Sequence, residues 1–290
     1  MRDQAEILRM KMLESQGALG KSIAIVSGKG GVGKSNFTTN FAALLAKEGK
    51  NVVILDMDIG MGNIHILFGK TTEYSLKDYL QGSVTLDQVM FAGPNEVRYI
   101  SGGSGMSALV EWSDAMFEAL ISAFRQLQQS FDYILFDMGA GATNWSLDLL
   151  TSIDEIIVIS TAEPTAIMDA YSMMKFIHLK DSEKTFYILC NRVMSKEEGQ
   201  ETLGRLNGAM QKFMSKETIP LGSLPEDPVV RKAVREQVPF TILYPNAPIS
   251  KTMQQIVQRF LQETTEEIHA PKHSNNLLTK LRSIFSKGRD

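Results

Sequence analysis

The chain has 290 residues, 43% of them hydrophobic, enough to bury a substantial core in one large domain. A formal net charge of -3 excludes the strongly basic balance of a nonspecific nucleic-acid binder, so any such role would need a local patch. The single cysteine, Cys190, excludes an internal disulfide framework or a multi-cysteine metal site within one chain, and it suits a reducing cytoplasm. No segment approaches the roughly 18 to 20 apolar residues that cross a bilayer, and the charged start Met1 to Glu14 does not read as a signal peptide. The expectation is a soluble, cytoplasmic protein that can still attach reversibly to a surface.

Residues 1–20 precede the first strand and end in Gly17-Ala18-Leu19-Gly20. Asp3 to Leu13 reads as a short helix, with Asp3 as cap and Ala5, Leu8 and Met12 along one side. A helix this short is marginal in water, so it needs a surface to fold on, either its own domain or a partner. Next, the apolar run Ser22 to Ser27 leads into Gly28-Lys29-Gly30-Gly31-Val32-Gly33-Lys34-Ser35, and a helical pattern follows from Asn36 to Lys47. The spacing fits G-x-x-x-x-G-K-[ST], with the strand and helix that this phosphate-binding loop requires on either side. The glycines let backbone N–H groups turn inward around an anion, Lys34 reaches the β and γ phosphates, and the Ser35 hydroxyl faces Mg²⁺. The pattern does not require Lys29, which is either a solvated lysine or a further phosphate contact.

Short β-rich runs then alternate with helical patterns. The runs are Val52 to Asp56, Val97 to Ile100, Tyr133 to Asp137, Glu155 to Ser160 and Thr185 to Cys190. The helical patterns cover Asp114 to Gln129, Thr165 to His178 and Lys251 to Glu267. Such alternation predicts an α/β fold, a mostly parallel central sheet flanked by helices on both faces, with its chemistry at the carboxyl ends of the strands. Asp56 and Asp58 follow the second strand, placed to meet a metal ion or γ phosphate, or else to sit as solvated loop acids. Tyr133 to Phe136 followed by Asp137 is a Walker B pattern, which puts Asp137 beside the metal. Gly139 and Gly141 allow close backbone approach to a phosphate. There is no N-K-x-D guanine motif; a strand instead ends in Cys190-Asn191-Arg192, and the Asn191 amide can pair with the N6 and N7 edge of adenine, favouring ATP/ADP over GTP. Cys190 reads as a buried strand residue, His65 as packing or solvated, and the methionines from Met168 to Met174 as core or partner surface.

The chain divides into an N-terminal segment 1–20, a nucleotide-binding domain 21–268, a polar, proline-broken linker 269–275 and a terminal helix 276–290. In that helix Leu277, Leu278, Leu281, Ile284 and Phe285 form one apolar stripe, with Lys280, Arg282, Lys287 and Arg289 around it. A basic amphipathic helix can lie in an anionic membrane interface. The same stripe equally suits docking on its own domain or on a partner, or the two in different nucleotide states.

K-G-G-V-G-K-S, from Lys29 to Ser35, resembles the deviant Walker A family that includes MinD, ParA and the nitrogenase iron protein. That resemblance implies that Lys29 crosses a dimer interface to the partner's nucleotide, with Lys34 on the same phosphates and Gly28 to Asn36 forming the cradle. Asp56-Met57-Asp58-Ile59-Gly60 to Asn63 resembles the MinD switch I, implying that Asp58 orients the attacking water and that Asp56 supports Mg²⁺ through water beside Ser35 and Asp137. Asp137 to Gly141 resembles switch II, with Gly139 where those relatives carry proline. The resemblance further implies that Asn191 and Arg192, with backbone around Pro225-Glu226-Asp227, hold adenine, and that Glu163 and Asp169 lie at the dimer interface.

At the start, Asp3-Gln4-Ala5-Glu6-Ile7-Leu8-Arg9 matches D-Q-A-x-x-L-R, the motif of the FlhG family of flagellar assembly, also called YlxH or FleN. By that likeness Asp3, Gln4, Ala5, Leu8 and Arg9 stimulate the GTPase FlhF, flagellar switch-ring (C-ring) proteins are partners, and the terminal helix targets an anionic membrane from the ATP-bound homodimer. The expected protein is thus an Mg²⁺-dependent ATPase, cytoplasmic and peripherally membrane-associated. A MinD-type division-site ATPase, a ParA-type DNA-partitioning ATPase and a non-catalytic presenter of residues 1–20 are the alternatives. Iron–sulfur carriers of this superfamily need paired cysteines, and nucleic acid is not an expected partner.

Overall fold

The computed structural model describes residues 19–58, 62–103, 113–141, 143–267, 277–278 and 280–282. The expected helix over 3–13 with its D-Q-A-x-x-L-R motif, the linker 269–275, and Ile284 and Phe285 lie outside the described residues.

The strands are β1 (Lys21–Val26), β2 (Val52–Met57), β3 (Met90–Ala92), β4 (Arg98–Ser101), β5 (Tyr133–Met138), β6 (Glu155–Ser160), β7 (Thr185–Val193) and β8 (Ile219–Pro225). They form one eight-stranded sheet in the order β3-β4-β2-β5-β1-β6-β7-β8. All neighbours run parallel except β3, which pairs antiparallel with β4. This is the expected α/β architecture. The chain leaves β1 for one half of the sheet and crosses to the other at β6, so the carboxyl end of β1 lies where the strand order reverses, the usual ligand crevice of such sheets.

Each central strand is a continuous apolar run because both of its faces are covered. Along β5, Ile134 and Phe136 enter one core while Tyr133 and Leu135 enter the other; β1 divides Ala24 and Val26 from Ile23 and Ile25 in the same way. Helices α1 (Lys34–Lys47), α2 (Ile64–Leu67) and α10 (Pro248–Glu267) cover the second core. Phe260 from α10 packs edge-on against Phe41 and Tyr187 there. Helices α4 (Asp114–Ser130), α5 (Asn144–Ser152), α6 (Pro164–Lys180) and α7 (Lys196–Met214) cover the first. The short α3 (Leu76–Leu80), α8 (Pro228–Glu236) and α9 (Phe240–Leu243) complete the helices named here.

Two elements hid behind their composition. Strand β8, Ile-Pro-Leu-Gly-Ser-Leu-Pro, which the strand pattern did not include, carries two prolines and a glycine at φ +132; as an edge strand it needs fewer N–H donors. Helix α7 carries Gly199, Gly204 and Gly208; a Cβ on Gly199 would meet the Ser223 hydroxyl at 2.5 Å, so that glycine is what lets α7 lie on β8.

The described part of the terminal stripe is docked in this conformation. Residues 277–278 and 280–282 are helical, and Leu277, Leu278 and Leu281 are buried in the core beneath α4–α7. Lys280 Nζ lies 2.7 Å from Asp181 Oδ2, and Arg282 lies 3.6 Å from Glu118. These leucines, expected on a membrane, here cover the domain itself. Of the Met-rich helix, Met173 and Met174 fill core, while Met168 is exposed.

Candidate nucleotide-binding site

Between β1 and α1 the chain turns through Gly31 at φ +79 and Gly33 at φ +97, the left-handed region that a side chain would strain. Gly33 caps α1, so the free N–H groups of the first helical turn open onto the loop. Other glycines are fixed by crowding. A Cβ on Gly28 would lie 2.1 Å from the Asp169 backbone, so the loop is pressed onto α6; one on Gly33 would lie 2.4 Å from Asn191 Nδ2. Lys29, Gly30 and Gly31 are exposed, while Val32 and Lys34 are buried.

Lys34 Nζ donates to Ser27 Oγ at 2.9 Å, and Ser27 Oγ donates to the Lys29 carbonyl at 2.7 Å. Burial pulls the Lys34 ammonium below its ordinary range, opposed by the charges of Asp137 and Asp58. Asp56 and Asp137 sit side by side in register on β2 and β5. Asp137 accepts from Ser35 Oγ at 2.6 Å and from Thr38 Oγ1 at 2.8 Å. Burial pushes its carboxyl up to about 7; Ser35 opposes this, and the neighbouring Asp56 adds to it. Asp56 accepts N–H groups from Asp58 and Ile64, each at 3.2 Å, so it ties the first switch loop to the start of α2. Burial raises Asp56 to about 6 despite those bonds. A Cβ on Gly62 would come within 2.8 Å of Asp56 Oδ2, which fixes glycine there.

Two buried carboxylates beside a hydroxyl, with Lys34 the nearest cation, fit a hydrated divalent ion. Among the described residues no group of three or more His, Cys, Asp or Glu forms a closed metal cage. An ion here would therefore be completed by water and phosphate oxygens, the usual habit of Mg²⁺.

The loops that follow β2 and β5 come close: a Cβ on Gly139 would lie 3.3 Å from Asp58 Oδ1. Gly141 has φ +86 and opens to solvent. Lys29 Nζ reaches Glu163 Oε2 at 2.7 Å and Thr165 Oγ1 at 3.4 Å within its own chain, and its hydrogen bond holds Glu163 below the usual carboxylate range.

On the far side of the loop, Asn191 Nδ2 donates to the Val32 carbonyl at 2.8 Å, and Asn191 Oδ1 accepts the Arg192 N–H at 3.0 Å. A register shift in β7 and φ +62 turn Arg192 outward, where its guanidinium meets Glu226 at 2.8 Å. Pro225 ends β8, and Asp227 caps α8 by accepting the Val229 N–H at 3.0 Å. Asn36, in the first turn of α1, accepts at its carbonyl from Asn40 Nδ2 at 2.7 Å.

Ser27 and Thr38 were missed in the sequence. Thr38 lies one turn beyond Ser35 on α1, and that i, i+3 spacing was the available signal. His65 Nδ1 is buried in α2 without a hydrogen-bond partner.

A phosphate-binding loop at the reversal point of a parallel sheet, with two strand-end aspartates beside it, defines a P-loop NTPase. A family model for ParA, described as NUBPL iron-transfer P-loop NTPase, matches residues 18–261. The chain is 31% identical over 237 residues to "Antiactivator FleN" of Pseudomonas aeruginosa, covering 82% of this chain and 85% of that protein. It is 31% identical over 281 residues to "Flagellum site-determining protein YlxH" of Helicobacter pylori, covering 92% and 89%. The fold is similar to MinD complexed with Mg-ADP from Pyrococcus horikoshii, with a TM-score of 0.67, 24% identity and coverage of 87% of this chain and all of that one. The chain belongs to the MinD/ParA family of P-loop ATPases, in the branch of FleN and YlxH, the FlhG group.

Proposed function

We propose that the protein is an Mg²⁺-dependent ATPase that acts as a dimerisation switch, binds anionic membrane through its C-terminal helix and regulates flagellar number and placement. The observation that carries this reading is the meeting of loop and switches, in which Ser35, Asp137, Asp56 and Lys34 converge while Asp58 packs against Gly139. The likeness to FleN and YlxH supports the flagellar role.

The N–H groups of residues 28–36 hold the phosphates, and Lys34 pairs with the β and γ oxygens. Ser35, Asp137 and Asp56 would hold Mg²⁺, which would supply positive charge to those oxygens. Asp58 orients a water in line with the γ phosphate. Asn191 and Arg192 with Pro225, Glu226 and Asp227 border the base, their amide and backbone groups suiting adenine. Lys29 leaves Glu163 to reach the nucleotide of a second copy. One short helix is a weak anchor, but two joined by ATP bind through a high effective concentration. Release of Leu277, Leu278 and Leu281 from the core would expose that anchor, with Ile284 and Phe285 extending it. Residues 1–20, through Asp3, Gln4, Ala5, Leu8 and Arg9, stimulate FlhF, and flagellar switch-ring proteins are further partners.

Asp58→Ala should trap dimers on anionic liposomes with ATP turnover falling at least tenfold. Unchanged turnover would remove Asp58 from this role. Deleting residues 1–20 should abolish stimulation of FlhF GTP hydrolysis and spare ATP-dependent pairing; stimulation that survives refutes the motif reading.

A further inference from the structure

The loop between α6 and β7 holds an arrangement that the nucleotide chemistry does not use. Lys184 is 4% exposed, and its ammonium donates to the Ile153 carbonyl while standing 3.7 Å from Asp181 Oδ2. The same Oδ2 accepts Lys280 of the docked terminal segment at 2.7 Å, across 99 residues of sequence. Asp181 Oδ1 is taken by the Glu183 N–H at 3.1 Å. One carboxylate oxygen therefore faces two lysines, one belonging to the body and one to the tail. Among the described residues, further charged groups near Lys184 are Asp154 at the head of β6, the adjacent Glu183 and, on the Ser182 carbonyl, Lys216.

We propose that Asp181, Lys184 and Lys280 form a contested latch, in which the buried lysine of the body competes with the tail's lysine for one carboxylate and so keeps the docked tail releasable. The latch rests on the reading of the tail as a membrane anchor only for its purpose; the docking contact itself is geometric. Three buried leucines supply the adhesion and Asp181 supplies the register, since Lys280 lies between Leu278 and Leu281 on the same segment. Burial would raise the Asp181 carboxyl, but the hydrogen bond from Lys280 and the charge of Lys184 outweigh it and hold the group below its ordinary range. Burial and then the approach of Lys280 push Lys184 down to about 8, against the opposing charges of Asp181 and Asp154.

The sign of the pH effect follows from which state holds the proton more weakly. Lys184 has the lower pKa when Lys280 is docked, so docking expels a proton once pH exceeds about 8. Docking is then weaker just below that value than above it, strengthens as pH rises past it, and weakens again at acid pH, where Asp181 takes up the proton that the Lys280 contact holds off.

The test is hydrogen exchange at residues 277–282 of the full-length protein with ADP, expressed as protection relative to intrinsic rates. Asp181→Asn should lower protection about tenfold, the loss of one charge-assisted bond. Lys280→Met should do the same, and the double variant should lose no more than either alone. Lys184→Met should raise protection and abolish the roughly threefold rise expected between pH 7.5 and 9. Basal ATP turnover should not change in any of them. Full protection in Asp181→Asn, additive losses in the double variant, or an intact pH rise in Lys184→Met would each overturn the latch. Sedimentation with anionic liposomes separates the two readings: lost protection without stronger lipid binding leaves the latch intact and refutes the anchor.

Discussion

The phosphate end and the tail-docking face solve opposite problems with buried charge. At the phosphate end, burial raises Asp137 and Asp56 to about 7 and 6, with the charge of Asp56 adding to the first and that of Asp58 to the second. On the tail-docking face the excess is reversed, with Lys184 lowered to about 8 beside a second lysine and one shared carboxylate.

Breaking the phosphate end should have the larger effect. Lys34→Ala removes the buried ammonium that neighbours Asp137 and that the proposed function assigns to the phosphates, and ATP turnover should fall by at least 10²-fold with the fold retained, checked by phosphate release and thermal melting. Turnover within threefold of wild type would dissociate Lys34 from the chemistry.

Next in size is the apolar half of the tail-docking face. Leu281→Asp puts a carboxylate where a side chain is 2% exposed, and the tail should become protease-sensitive while the melting temperature of the domain shifts far less than for Phe260→Ala. Phe260 touches Phe41, Tyr133 and Tyr187, and its truncation should cost about 3–5 kcal/mol by denaturant titration. Equal losses in the two variants would mean that the tail is integral to the core rather than laid upon it.

A finer probe of the cation-poor end is Thr38→Val, which keeps shape and removes one hydroxyl from Asp137. It should cost about 1–3 kcal/mol of stability without divalent ion, and added Mg²⁺ with ADP should recover part of that in a melting curve. The smallest effect expected is at Cys190. Its thiol is buried and burial pushes it up to about 11, so native protein should resist alkylation at neutral pH and react once unfolded. Rapid native labelling would contradict the packing of β7.

These contrasts also explain what the sequence disclosed. The phosphate loop, Asp137 and the parallel sheet were legible because a fixed spacing of Gly, Lys and Ser between a strand and a helix has few other physical uses. Thr38 was not, since a threonine inside a helix usually bonds its own backbone, as this one also does to the Lys34 carbonyl at 3.0 Å. Gly139, which in the sequence only marked a departure from proline, stands beside the carboxylate of Asp58. The stripe from Leu277 announced an amphipathic helix, but periodicity tells which side is apolar and never what covers it. Asp181 carries no motif, and its meeting with Lys280 depends on long-range packing alone.

The central claim is that ATP joins two copies, each lending Lys29 to the other. Solution mass of the wild type and of Lys29→Ala, measured with ADP and with a slowly hydrolysed ATP analogue, tests it most directly. The account predicts a monomer with ADP, a dimer of the wild type with the analogue, and a Lys29→Ala variant that stays monomeric with both. A wild-type protein that remains monomeric when saturated with the analogue would contradict it.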